Sequence, residues 1–323
     1  MLLIVVASLS LTLVTFRMAS IVGAQWTAEM KCREYRNLTV LRTAIIPLTA
    51  RPIPVFQEVF NCSHTVDVIV GGEEAQEGEF PHQALIGWPA EENHDEQYDF
   101  LCGGSLISER FVVTAAHCGS ESSRGRPVVV RLGEHDLDNE LDHQVDFDII
   151  DIVRHPEYRG RSAYYDIALI KLKRTVKFSS YIRPACLWTS ISLNYTTAIA
   201  SGFGQLGFLT SPARKLNKVS LQFFGSERCN KAFPRNRKME TGIRDSQICA
   251  GSADGRDTCK GDSGGPLQVR TEEKGCLYHL IGIISWGQDA CGYGHSLAIY
   301  TRIASYVRWI EQIVWETDKW IWD

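Results

Sequence analysis

The chain has 323 residues, 44% hydrophobic and 22% charged, ordinary globular values that exclude a wholly disordered chain, a collagen and a polytopic membrane protein. Its 34 Lys and Arg against 38 Asp and Glu give a net charge of −4, with no bias toward nucleic acid. The ten cysteines, about 3% of the chain, are too sparse for a disulfide mini-scaffold, but their even number allows five pairs in an oxidising compartment.

Taken from the start, Leu2 to Phe16 is an uncharged run, short for a membrane anchor and suited to the core of a secretory signal. Val22-Gly23-Ala24 supplies small residues for cleavage, so residues 1–24 read as a signal peptide and the chain as secreted. A retained membrane tether is the competing reading. No later apolar run is long enough to span, so no membrane association is expected. Asn-X-Ser/Thr sequons begin at Asn37, Asn61 and Asn194 and are candidate glycan sites in a secreted chain. Residues 25–68 hold Cys32, Cys62 and three prolines, and read as a pro-segment or linker without a core of its own.

From Ile69 the texture changes. Short apolar runs such as Phe111-Val112-Val113, Val128-Val129-Val130, Ile167-Ala168-Leu169-Ile170 and Leu280-Ile281-Gly282-Ile283-Ile284 alternate with Gly- and Asp-rich turns. That spacing predicts an all-β barrel or sandwich over residues 69–323. Near the end, apolar residues recur at three- and four-residue steps from Tyr306 to Trp315 and predict one helix.

Three segments carry chemistry: Thr114-Ala115-Ala116-His117-Cys118, Asp166-Ile167-Ala168-Leu169 and Gly261-Asp262-Ser263-Gly264-Gly265-Pro266. A serine hydroxyl is a poor nucleophile until an imidazole takes its proton, and the imidazole needs a carboxylate to orient it and stabilise its cation. Ser263, His117 and Asp166 supply those groups. The glycine-rich turn lets the amides of Gly261 and Ser263 converge as an oxyanion hole. Each residue alone has a bland reading: a core histidine, a strand-edge aspartate, a tight turn. All three together, each in its own distinctive context, favour catalysis. The order His, Asp, Ser separates the chain from α/β-hydrolases, in which the serine comes first. No His-Glu-X-X-His occurs, so a zinc protease is not supported and no residue is assigned as a metal ligand.

On these motifs, residues 69–323 resemble the trypsin-like serine proteases of the chymotrypsin family. The resemblance implies two six-stranded antiparallel β-barrels, a C-terminal helix and the triad in the cleft between the barrels. It also implies the bridges Cys102–Cys118, Cys229–Cys249, Cys259–Cys291 and Cys62–Cys186. Cys32 and Cys276 remain, either as a second tether of the pro-segment or free. Cys32-Arg33-Glu34-Tyr35, Gly78 to Leu85 and Arg183 to Trp188 resemble, more narrowly, the snake-like arthropod clip-domain cascade proteases. Such proteases act in immunity, melanisation, clotting or patterning. The six-cysteine clip module is missing here, since only two cysteines precede Ile69.

Ile69-Val70-Gly71-Gly72 resembles the new N-terminus of an activated family member, with its amine pairing to Asp262 as a switch. The residue before the cut is Val68, where family zymogens usually carry Arg or Lys, which points to an activating protease of non-tryptic, elastase-like or chymotrypsin-like specificity. Asp257 stands where the family places the floor of the primary pocket, and implies cleavage after Arg or Lys. Ser285, Trp286 and Gly287 match the strand that pairs with substrate. Ala298 stands where trypsin-like enzymes usually have Gly, and its methyl narrows the slot. The acidic stretch from Glu134 to Asp148 reads as a solvated loop or a calcium site; otherwise no cofactor is expected. The expected partners are protein substrates, chiefly downstream zymogens, and serpin-type inhibitors. The commitment is a zymogen of a serine endopeptidase, and the competing reading is a non-catalytic homologue that serves as a binding cofactor.

Overall fold

A computed structural model describes residues 26–48, 53–60, 62, 73–90, 97–120, 124–139, 143–160, 162–205, 207, 210–233, 235–252, 258–272, 276–287 and 296–316. The signal segment, Asn61, Val68, Ile69, Asp257 and Cys291 lie outside the described residues.

Residues 25–68, read from the sequence as a pro-segment, hold more structure than their prolines suggest. They form helix α1 (Trp26–Asn37) and a hairpin of β1 (Val40–Ile45) and β2 (Val55–Phe60). Ala28 and Tyr35 are buried and Cys32 half-buried. They recur at steps of four and three, which places them on one face of the helix. The two-residue β3 (Glu73–Glu74) follows.

The first barrel is built from β4 (Gln83–Pro89), β5 (Tyr98–Leu106), β6 (Phe111–Thr114), β7 (Val129–Leu132), β8 (Val145–Arg154) and β9 (Ala168–Leu172). Its order β4-β5-β6-β9-β8-β7 closes on itself, so no hydrogen-bonding edge is left open. Ile86, Val112, Val130, Leu169, Ile170 and Leu172 fill its core.

The second sheet contains β10 (Cys186–Leu187), β11 (Thr197–Gly202), β12 (Asn217–Phe224), β13 (Gln247–Ser252), β14 (Pro266–Arg270), β15 (Tyr278–Gly287) and β16 (Ser296–Arg302). The order β15-β14-β11-β12-β13-β16 closes into six antiparallel strands through the β15–β16 pairing. Strand β10 joins β15 in parallel and β3 joins β12. Leu221, Leu267, Ile281 and Tyr300 centre this core. A short helix α2 (Ser226–Ala232) leads from β12 toward β13. The described residues end in helix α3 (Val307–Glu311) and a π-helical turn over Gln312–Glu316. The two barrels and the terminal helix therefore follow the sequence expectation.

The acidic stretch is only partly a loop. Asp146 and Asp148 belong to β8. Arg131 grips Asp146 through two nitrogens at 2.7 and 2.9 Å and reaches Glu134 at 3.2 Å. Arg214 pairs with Asp138 and Lys173 with Asp148. These carboxylates already face protein cations.

The disulfides correct one sequence expectation. Cys102–Cys118 and Cys229–Cys249 are joined, whereas the pairs Cys62–Cys186 and Cys32–Cys276 are exchanged: Cys32 bonds Cys186 and Cys62 bonds Cys276. Docking of α1 explains the exchange. Tyr35 is buried beside Cys186 and Leu277 and donates its hydroxyl to Ile107 O at 3.0 Å. At the other end of the helix Glu311 Oε1 accepts from Ala28 N at 2.8 Å. The helix so fixed holds the Cys32 and Cys186 Cα atoms 5.0 Å apart, while the hairpin returns Cys62 to 5.5 Å from Cys276, both spacings that a disulfide needs. Cys259 is disulfide-bonded, and its expected partner Cys291 lies outside the described residues.

This pairing has a direct check. Once the chain is cut after the pro-segment, the double variant Cys32→Ser/Cys276→Ser removes one cysteine from each tether. Its light chain is expected to separate on a denaturing gel without reductant. Under the pairing expected from the sequence, Cys62–Cys186 with Cys32–Cys276, the double variant would still hold both chains together.

Candidate active site

The barrels meet where β6 runs into His117 and where the turn before β14 carries Ser263. Cys118 Sγ lies 3.5 Å from Ser263 O, and Gly103 N donates to that carbonyl at 2.8 Å. The segments adjoining His117 and Ser263 are thus in contact across the cleft.

His117 is held by Asp166 at two points. Its backbone N–H donates to Asp166 Oδ1 at 2.9 Å, and its Nδ1 lies 2.8 Å from Oδ2. The His117 side chain is 34% exposed and that of Asp166 only 3%. An ionised carboxylate accepts only, so Nδ1 carries the proton and Nε2 is left as the base. Burial would lower the His117 pKa, but the charge and hydrogen bond of Asp166 outweigh it, and the net direction is upward from 6.5. Lys238 opposes that rise through its positive charge.

Sequence reasoning missed two partners of Asp166. Ser285 Oγ donates to Oδ2 at 2.6 Å, and Thr301 Oγ1 donates to the Asp166 backbone carbonyl at 2.8 Å. Ser285 was expected only as a wall of the substrate strand; no local motif marks either hydroxyl as a donor. Tyr165, just before Asp166, has φ of 55°, a region that bulky residues avoid. Its ring stacks on His155 at a centroid distance of 5.1 Å and an angle of 14°. Packing on one side and the Thr301 bond on the other hold this conformation.

The Ser263 turn depends on glycine. Gly261 has φ of +98° and Gly264 of +80°. A Cβ on Gly264 would collide with Thr114 Oγ1 and come 2.6 Å from Gly103 O. The change Gly264→Ala is therefore expected to destabilise the fold by at least about 2 kcal/mol. Thermal unfolding beside the parent protein checks this, and an unchanged Tm would contradict it. Lys260 O accepts from Gln205 N at 2.9 Å. A trans peptide then turns the Gly261 N–H to the opposite side. Among the described residues neither the Gly261 nor the Ser263 amide has an acceptor.

Asp262 points away from this face. Its Oδ1 accepts from Gly204 N at 2.7 Å and its Oδ2 from Cys259 N at 2.9 Å. A Cβ on Gly202 or Gly204 would run into the carboxylate, so these glycines make room for it. Ser285, Trp286 and Gly287 end β15, with Ser285 buried and the other two half-buried. Ala298 is buried and pairs with Gly287; a Cβ built on that glycine would lie 3.8 Å from the Ala298 methyl. Asn37 and Asn194 are exposed. Among the described residues no helix is long and apolar enough to cross a membrane.

Comparison with known proteins adds the family. The profile described as Trypsin matches residues 69–310. The chain is 39% identical over 295 residues to "Serine protease snk" of Drosophila melanogaster, covering 91% of this chain and 66% of that protein. It is 35% identical to "CLIP domain-containing serine protease B4" of Anopheles gambiae, covering 90% of this chain and 82% of the other. With "Clotting factor G beta subunit" of Tachypleus tridentatus the identity is 36%, over 66% of this chain and 71% of the relative. The solved structure of the mouse serine protease neuropsin superposes with a TM-score of 0.62 at 30% identity, covering 76% of this chain and 99% of that one.

Proposed function

Because the chain belongs to the trypsin family of serine endopeptidases, we propose that it is a secreted zymogen, activated by cleavage between Val68 and Ile69, that hydrolyses peptide bonds after Arg or Lys in an extracellular arthropod protease cascade. The observation that carries this reading is the line from Ser285 and Asp166 to His117, set beside a glycine-built turn that bears Ser263.

In this reading Ser263 Oγ attacks the scissile carbonyl while His117 Nε2 takes its proton. The oxyanion of the tetrahedral intermediate accepts from the Gly261 and Ser263 amides. Collapse expels the amine, which takes the proton from His117, and leaves an acyl-enzyme on Ser263. Water, deprotonated by His117, releases the acid product. Asp166 stays ionised throughout and stabilises the imidazolium.

Activation follows from the same turn. The freed Ile69 amine would pair with Asp262, which precedes Ser263, and so tie the cut to the set of the oxyanion amides. With Val68 before the cut, the activator is a protease that accepts an apolar residue, and the product does not activate itself at this bond. Asp257 would attract the cationic side chain, and Ala298 narrows its slot. The names of "Melanization protease 1" and "Phenoloxidase-activating factor 3" support a cascade setting; downstream zymogens as substrates and serpin-type inhibitors are part of the same proposal. Since Arg131, Arg214 and Lys173 already pair with Glu134, Asp138, Asp146 and Asp148, this reading assigns no calcium to the stretch, and chelation is expected to leave activity intact.

The test is to cleave the purified protein at Val68–Ile69 and assay arginyl and lysyl amides. Turnover by the cleaved form, absent from the uncut form, is expected. No turnover beyond that of a Ser263→Ala control would favour a non-catalytic homologue instead.

A further inference from the structure

The loop between α2 and β13 carries Arg235, Arg237 and Lys238, all exposed. Its ends are anchored, since Phe233 is 4% and Met239 0% exposed. Inside it, Asn236 Oδ1 accepts from Lys238 N at 2.7 Å and from Met239 N at 3.2 Å, a turn that fixes where Lys238 leaves the backbone. Lys238 O accepts from Ala163 N at 3.1 Å, which ties the loop to the segment that leads into Asp166.

Lys238 Nζ sits 5.2 Å from the centroid of the Trp286 ring. Phe233 also packs on that indole, at 5.0 Å and 43°. Among the described residues, none of Arg235, Arg237 and Lys238 has an ion-pair partner. The Lys238 charge is felt at His117, whose pKa it lowers. A group of cations without an ion-pair partner among the described residues therefore stands over the indole next to Ser285, the acids of the same loop being Glu240 and Asp245.

We infer that Lys238, positioned over Trp286, selects substrates with an Asp or Glu a few residues on the amino side of the cleaved bond, Arg235 and Arg237 adding to the same field. This inference rests on the proteolytic reading and names a substrate feature for it. A peptide that delivers its carbonyl to Ser263 along Ser285, Trp286 and Gly287 passes Trp286 just before the bond. A carboxylate there meets a cation that sits over the indole and has no ion-pair partner among the described residues. The contact is exposed and so moderate, and salt screens it. An apolar side chain would instead leave the ammonium over the indole without a counter-charge.

The experiment uses the full chain cleaved at Val68–Ile69 and three peptide amides that share an arginine before the bond. They carry Glu, Gln or Lys at the upstream position, scanned over the few residues before the arginine. A single-residue arginyl amide is run on the parent protein as a reference for proteolysis. At one upstream position the ratio of kcat/KM for Glu over Gln is expected to be about 5–20 at low salt and to shrink toward one in high salt. The variant Lys238→Gln should lose that ratio, and Lys238→Glu should reverse it in favour of Lys. Lys238→Gln should also move the acid limb of the pH profile upward, because a charge that depresses the His117 pKa is gone.

Equal rates on the Glu and Gln peptides at every position, with the reference amide turned over, would overturn this inference alone. A Glu preference that survives in Lys238→Gln would overturn it too, by placing the recognising charge elsewhere. Loss of all turnover, the reference amide included, would overturn the proteolytic reading and this inference with it.

Discussion

The change Ser263→Ala is expected to lower kcat of the cleaved protein by about 10⁶, with the fold intact. The magnitude follows from how the groups depend on one another. His117 can only act on a proton that Ser263 offers, and Asp166 can only act through His117. Removing the hydroxyl therefore removes what all three do together. What remains is the pair of amides at Gly261 and Ser263, which can still hold an oxyanion for a water-borne attack. The residual rate over uncatalysed hydrolysis is thus expected to stay near 10³–10⁴. The Ser263 side chain is half-buried on a turn whose shape depends on Gly261 and Gly264. Loss of one oxygen there should leave stability within about 0.5 kcal/mol of the parent's. Burst kinetics with an ester substrate separate the outcomes, since the parent should accumulate an acyl-enzyme and the variant should not. Residual turnover near the parent level in Ser263→Ala would place the nucleophile elsewhere.

Much of this site could be read from the sequence because its chemistry sits in short, local motifs. His117 stands beside a cysteine, Ser263 inside a glycine turn, and both contexts are contiguous in the chain. The barrels were legible for a similar reason: apolar runs between turns repeat often enough to exclude helices. Contacts between distant residues were not. Cys32 and Cys186 are 154 residues apart, and nothing in a cysteine's neighbours states which partner it will meet. A signal for the docked helix was present, in the steps of four and three between Ala28, Cys32 and Tyr35. The flanking prolines and the charged residues of that segment masked it. Ser285, Thr301 and Lys238 are ordinary residues in sequence, and only the closure of β15 on β16 and the tie between Lys238 and Ala163 bring them to Asp166 and His117. Nothing in the sequence around Gly202 and Gly204 says why glycine stands there. Their reason is the Asp262 carboxylate, which leaves no room for a Cβ.

The second large effect concerns Asp166→Asn, expected to lower kcat by about 10⁴, the size of loss found when the buried acid of such a triad becomes an amide. The geometry here explains the direction. Oδ2 receives both the His117 ring and the Ser285 hydroxyl, at 2.8 and 2.6 Å. An amide that keeps its oxygen at Oδ1, accepting from the His117 backbone N–H, places its NH₂ at Oδ2; Ser285 Oγ can turn to accept from it, but the His117 ring must then take the tautomer with the proton on Nε2. That tautomer has no base to offer Ser263. The charge is lost as well. In the parent protein Asp166 raises the His117 pKa above 6.5 against burial and Lys238. The acid limb of kcat/KM, where the imidazole must lose its proton to act, therefore lies above pH 6.5. In the variant, burial and Lys238 act unopposed, so the limb should move below pH 6.5 while the plateau falls. Both readouts come from one pH series on the cleaved protein. A plateau loss without the downward move would mean that Asp166 orients His117 but does not support its charge, and an unchanged plateau would remove Asp166 from the mechanism.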